Sequence, residues 1–281
     1  MAAVAARIRQ LLDAHEEIAG KCQGIGVVVP GMVDSVTGTV LHAPTLGWRD
    51  VDLRPRLAAA TGFSVHVENS GRACALAQMW EARSVAAAPV RNLVFISVSD
   101  GVGVGLIMNG EVLRGRHNIA GEFGHVPISL DGPRCSCGAN GCWEAYISNR
   151  ATVARYFGRA MGSDGPHDAA QRAFTLDDLI SRARGGDGKA IAALQATARY
   201  LGLGIASIIN AVDPAVVYVG GEITGAWDLI VDTVRTALAE RTLTDAAAGT
   251  ELRPVPVHEH PRLHGAAALV AAPAFAAPVV A

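Results

Sequence analysis

Three of the chain's five cysteines, Cys135, Cys137 and Cys142, follow His125 inside the stretch Gly121–Glu144, which reads GEFGHVPISLDGPRCSCGANGCWE. Three thiols and an imidazole make a common structural zinc sphere, because a divalent, borderline-soft ion takes thiolate and imidazole in a tetrahedron. Two sulfurs spaced C-x-C reach one ion only where the backbone turns sharply, and Gly132, Pro133, Gly138 and Gly141 supply turn residues. The alternative is that the thiols are unrelated, or that two of them form a disulfide. With no secretory leader expected, clustered cysteines favour metal. The expectation is therefore a structural Zn2+ held by His125, Cys135, Cys137 and Cys142.

The run G-E-x-G-H, then C-x-C-G-x-x-G-C-x-E, resembles the signature of the ROK family, which groups bacterial sugar kinases with sugar-responsive transcriptional repressors. The resemblance extends from about Gly24 to Leu269. It implies the same four zinc ligands, with Glu122, His125 and Glu144 lining a sugar pocket and Asn69 as a further sugar contact. Carboxylates and an imidazole suit the hydroxyls of a sugar. A metal-bound histidine commonly gives its second ring nitrogen to another partner, so His125 would serve ion and sugar together.

Other residues depart from the family's kinases. There the match to Glu68-Asn69-Ser70 reads Glu-Asn-Asp, and the Asp is the general base that takes a proton from the sugar hydroxyl. A serine hydroxyl cannot do this near pH 7 without its own base, and losing a positioned base costs ~10²–10⁴ in rate. Ser70 also reads as a plain N-cap of the next helix. The stretch Asp100 to Gly105 matches the kinases' ATP-phosphate loop, but Asp100 replaces a Thr and would repel phosphate. Gly101, Gly103 and Gly105 equally suit close approach by a neighbouring strand. Gly220 and Gly221 resemble the adenosine-side motif, and also read as architecture alone. Family kinases open on a strand bearing an Asp-x-Gly-x-Thr phosphate loop, and the repressors place a winged helix-turn-helix before it. This sequence reads as starting inside the helix that follows, an N-terminally truncated form with neither.

The elements that must position these residues alternate. A helical pattern over 2–19 precedes a buried strand over 24–31, then a turn-rich stretch over 34–55. A strand at 63–68, a helix at 73–87 and a strand at 93–99 come next, with a hairpin turning at Asn109-Gly110. From Ser148 the pattern is mostly helical (151–160, from Thr175, 190–211, 227–241), with strands at 216–219 and 251–257 and a closing helix around 265–269. His167 reads as a loop residue, His258, His260 and His264 as a surface cluster, and Cys22 and Cys74 as buried thiols. With 24 basic and 26 acidic residues in 281, the net charge of −2 offers no general attraction to nucleic acid or anionic membrane. No run of about 20 apolar residues escapes charges or breakers, so no membrane span and a cytoplasmic location are expected.

The alternation argues α/β. The resemblance sharpens this to the two-lobed actin-like ATPase (ribonuclease H-like) fold, with the sugar cleft between lobes. A partial first lobe is expected over 1–120, the zinc-bearing segment and second lobe over 121–270, and a disordered tail over 271–281. The implied function is the sugar-binding and oligomerising domain of a ROK-type transcriptional regulator, with no catalytic residue. The alternatives are a sugar kinase using ATP and Mg2+ on a hexose or amino sugar, and a remnant keeping only the zinc fold. Implied partners are a sugar or sugar phosphate, further copies in a homodimer or homotetramer, and DNA only through a module outside this sequence.

Overall fold

A computed structural model of the chain describes residues 2–85, 90–160 and 173–275. The polar loop expected over 161–171, with His167, and the end of the tail lie outside the described residues. The chain divides into two compact units. Unit 1 gathers the residues up to 89, 112–120 and those from 261 onward; unit 2 holds 90–111 and 121–260. This differs from a contiguous split at 120/121. The strand at Leu93–Val98 pairs along its length with Val216–Gly220, so it cannot belong to a different body from its partner.

In unit 1, α1 (Ala2–Asp13) and α2 (Glu16–Ala19) precede β1 (Ile25–Val29), which pairs in parallel with β5 (Val65–Asn69). Between them run β2 (Met32–Asp34), β3 (Thr39–Ala43) and β4 (Trp48–Asp52), an antiparallel sheet, and then α3 (Leu53–Thr61). For the three strands the sequence showed only turns. The strands are three to five residues long, too short for alternation to register, and Asp34 folds its own turn by accepting from the N–H groups of Val36 and Thr37. Val33, Val40, Leu53, Leu57, Val65 and Val67 make the core. The helices α4 (Ser70–Val85) and α11 (Pro261–Phe275) pack on each other and on β1. α11 runs through 271–275, where a disordered tail was expected, because its alanines continue the helix. On α4, Cys74 is buried, and burial pushes its thiol up to about 12, an inert state. Cys22 is only half-buried.

Unit 2 is built on a five-stranded sheet in the order β10-β9-β6-β7-β8. β6 (Leu93–Val98), β9 (Val216–Gly220) and β10 (Glu251–Val255) run parallel, and β7 (Val102–Met108) returns antiparallel to β6 before β8 (Glu111–Val112). Every residue of β6 and β9 is buried, the continuous apolar pattern of parallel strands covered on both faces. Asn109 and Gly110 have φ of 56° and 84°, the type I′ turn expected. Around the sheet lie α5 (Glu144–Ile147), α6 (Asn149–Tyr156), α7 (Leu176–Arg184), α8 (Gly188–Val212), α9 (Trp227–Ala239) and α10 (Asp245–Ala248). A capping box of Thr175 and Asp178 starts α7, and the Asp187 carboxylate caps α8. By length and composition α8 would suffice to cross a membrane, yet Leu194, Leu201, Ile205 and Ile209 bury it in the core of unit 2.

Candidate functional site

The cysteine–histidine centre lies in unit 2 and is folded by backbone pairing. Residues 126–128 run beside 141–143: the Ile128 N–H donates to the Gly141 carbonyl at 2.8 Å and the Trp143 N–H to Val126 at 2.9 Å, bringing His125 beside Cys142. The Cys135 N–H donates to Ala139 and the Gly138 N–H to Cys135, closing residues 135–139 into a knuckle. Gly141 is required there: its φ is 70°, and a Cβ would stand 1.5 Å from the Ser129 carbonyl oxygen.

One ligand atom from each of His125, Cys135, Cys137 and Cys142 lies within 4.8 Å of all the others. The sulfurs of Cys137 and Cys142 are 3.7 Å apart, as are Cys135 Sγ and His125 Nδ1. Zinc bonds of about 2.3 Å to sulfur and 2.0 Å to nitrogen give tetrahedron edges of about 3.5–3.8 Å, so the residues fit that ion. A disulfide needs about 2.05 Å between sulfurs, and all five cysteines are free. Burial pushes the Cys135 thiol up to about 12, against the pull of the Cys137 N–H, so an ion must displace its proton on binding.

Glu144, expected to line a sugar pocket, is held by the knuckle itself. It is 6% exposed; Oε2 accepts from the Val102 N–H at 2.9 Å, and Oε1 accepts from Ser136 Oγ at 3.0 Å and from Cys135 Sγ at 3.5 Å. The carboxylate thereby joins the knuckle to the first residue of β7. Glu122, half-buried, stands at the cap position of the short turn Phe123–His125. Next to Cys142, Trp143 is buried and donates from Nε1 to the Tyr200 carbonyl at 2.8 Å, which anchors the centre on α8.

The two glycine runs sit differently in the fold. Gly103 and Gly105 are residues of β7, opposite Ser97 and Phe95, and only Gly101 lies in the turn. At Gly221 a Cβ would come within 1.9 Å of the Val98 carbonyl oxygen, and at Gly220 within 2.6 Å of the Phe95 ring. These positions let β9 and its following turn close on β6.

Asn69 lies in unit 1 at the end of β5 and is 8% exposed. Its Oδ1 accepts from the N–H groups of Gly71 at 2.8 Å and Arg72 at 3.2 Å, while Nδ2 donates to the Gly31 carbonyl at 2.8 Å. Asn69, not Ser70, is therefore the cap, and α4 begins at Ser70 rather than near Ala73. Sequence reading missed the group beside it. Glu68, fully buried, pairs with Arg72 Nε at 3.1 Å and with Arg114 Nη2 at 2.8 Å. Arg114 stands 46 positions along the chain, and no local pattern connects the two.

The protein-family model described as the ROK family matches residues 2–272. A glucokinase of Halalkalibacterium halodurans is 30% identical over 261 residues, covering 89% of this chain and 76% of that one. The xylose repressor of Bacillus subtilis is 30% identical over 231 residues, covering 82% of this chain but only 56% of the repressor. Among solved structures, a ROK family transcriptional regulator, a homologue of the E. coli MLC protein, superposes with a TM-score of 0.77 at 30% identity, covering 96% of this chain and 68% of that one. A ROK family glucokinase from Streptomyces griseus, in complex with glucose and AMPPNP, gives 0.76 at 29% identity, covering 93% and 87%.

Proposed function

This chain belongs to the ROK family and has its two-lobed, actin-like α/β fold, and from that premise we propose that it is the sugar-binding and oligomerising part of a transcriptional regulator, inactive as a kinase. Ser70 carries this reading, because it stands where a phosphoryl transferase of this family needs a carboxylate base. The carboxylate two residues before it, Glu68, is sealed from solvent and held by two arginines, which suits it to structure rather than to proton transfer. Asp100, a negative charge where ATP phosphates would lie, supports the same conclusion. The sugar contacts in this reading are Asn69, Glu122, His125 and Glu144. Zn2+ on His125, Cys135, Cys137 and Cys142 supplies a cross-link that fixes the knuckle, and His125 Nδ1, which faces Cys135, leaves Nε2 for the sugar.

The glucose held by the Streptomyces griseus relative makes a hexose the first ligand to try. A homodimer or homotetramer in the cytoplasm is the expected state. Contact with DNA is assigned to the further length that the xylose repressors have beyond their match to this chain. The second reading, a sugar kinase, is favoured by the glucokinases' equal similarity. Isothermal calorimetry of the zinc-loaded protein against a hexose panel, with and without ATP and Mg2+, separates the two. Sugar heat without turnover is the expected result. Continuous ATP-dependent heat with ADP release would instead assign a kinase.

A further inference from the structure

Glu68, Arg72 and Arg114 form an ion group inside unit 1 that no step of the proposed function uses. Glu68 is 0% exposed and Arg72 2%, while Arg114 keeps 35% of its side chain in solvent. One carboxylate thus serves two guanidinium groups, a net of one positive charge. Glu68 Oε1 also accepts from the Asn69 backbone N–H at 2.8 Å, and the Arg72 backbone N–H donates to Asn69 Oδ1. Asn69 is therefore bracketed by the two buried members. Arg114 reaches Glu68 Oε2 with both Nε (3.2 Å) and Nη2 (2.8 Å), and Arg72 Nη2 donates to the Asn118 carbonyl at 3.3 Å. Residues 114–118 are thereby fastened both to the end of β5 and to the first turn of α4.

We infer that Glu68, Arg72 and Arg114 are positioning residues, which together fasten residues 114–118 beside Asn69 and hold the Asn69 amide in the arrangement that receives the sugar. This rests on the reading of Asn69 as a sugar contact. Desolvation makes the three residues unequal as targets. Removing Glu68 strands a buried cation, a strongly destabilising change, whereas removing Arg114 leaves the neutral pair Glu68–Arg72 intact. Arg114 is thus where position can be perturbed with little cost to the fold.

The test compares wild type with Arg114→Met, Arg114→Lys and Glu68→Gln by calorimetry with the hexose that wild type binds, thermal melting and amide hydrogen exchange. Arg114→Met should keep the wild-type melting temperature within a few degrees, exchange faster at 69–72 and 114–118, and bind sugar about tenfold more weakly, the weight of one hydrogen bond. Arg114→Lys, which keeps the charge without the fork, should recover part of the affinity. Glu68→Gln should melt far lower. Unchanged exchange in Arg114→Met overturns the inference, as does a melting temperature that falls in step with affinity across the variants. If wild type binds no hexose, the functional reading fails, and faster local exchange in a stable Arg114→Met still supports the positioning role.

Discussion

At the scale of single residues, Glu144 has a structural duty that can be tested apart from sugar binding. Both oxygens of Glu144 accept hydrogen bonds, one set from the cysteine knuckle and one from the start of β7. Glu122→Gln should weaken sugar binding by at least tenfold in calorimetry while atomic absorption still finds one zinc per chain. Glu144→Ala should lower zinc retention as well, because it removes the acceptor for Ser136 and Cys135. Full zinc occupancy in Glu144→Ala would show that the carboxylate does not support the knuckle. The spacing of His125, Cys135, Cys137 and Cys142 made this centre legible before any coordinates, since C-x-C with flanking glycines leaves few ways to satisfy three sulfurs. The Glu68 group was not legible, because Arg114 joins Glu68 and Arg72 only through tertiary packing. Asn69 also took a role that sequence offered to its neighbour: an Asn at a strand end and a Ser at a helix start are both good caps, and only geometry decides between them.

At the scale of elements, α7 and α8 show stability stored in two carboxylates. The Asp178 carboxyl is held below the usual range by the Thr175 N–H and hydroxyl, and the Asp187 carboxyl by the Ala190 N–H and the Tyr156 hydroxyl. A depressed folded pKa gives stability that is fully present above the ordinary carboxylate value of about 4 and is lost as pH falls through the folded value. Thermal melts from pH 7 to pH 3 should therefore decline at the acid end. Asp187→Asn, which still caps but does not titrate, should decline less steeply there; an identical slope would mean Asp187 contributes nothing to acid sensitivity. The capping box and the strands of unit 2 could be read from sequence because each has a local cause: a Thr three residues before an Asp, or an unbroken apolar run. The small sheet of β2, β3 and β4 could not, because turn residues outweigh two or three inward valines in so short a span.

At the scale of the whole molecule, family and fold were legible from one motif and the alternation of elements, whereas the division into units was not. Hydrophobic pattern reports that a strand is buried, not which body buries it, so the return of α11 to unit 1 left no local mark. Removing everything after His260 tests that return. The shortened protein should keep its zinc, because every ligand lies in unit 2, but should lose the calorimetric transition of unit 1, whose β1 and α4 lose their cover. Retention of both transitions would mean that α11 is dispensable to unit 1.

The same return has a consequence during synthesis. β1 begins at Ile25 and α11 at Pro261, so 261 − 25 = 236 residues must be added before the strand meets the helix that covers it. At roughly 5–20 residues per second, that is about 12–47 s on the ribosome. Throughout this interval the apolar face of β1 stays open, while unit 2, contiguous apart from one excursion, is made in its entirety. A chaperone that shields nascent chains would find its binding site on β1, and its release would wait on α11.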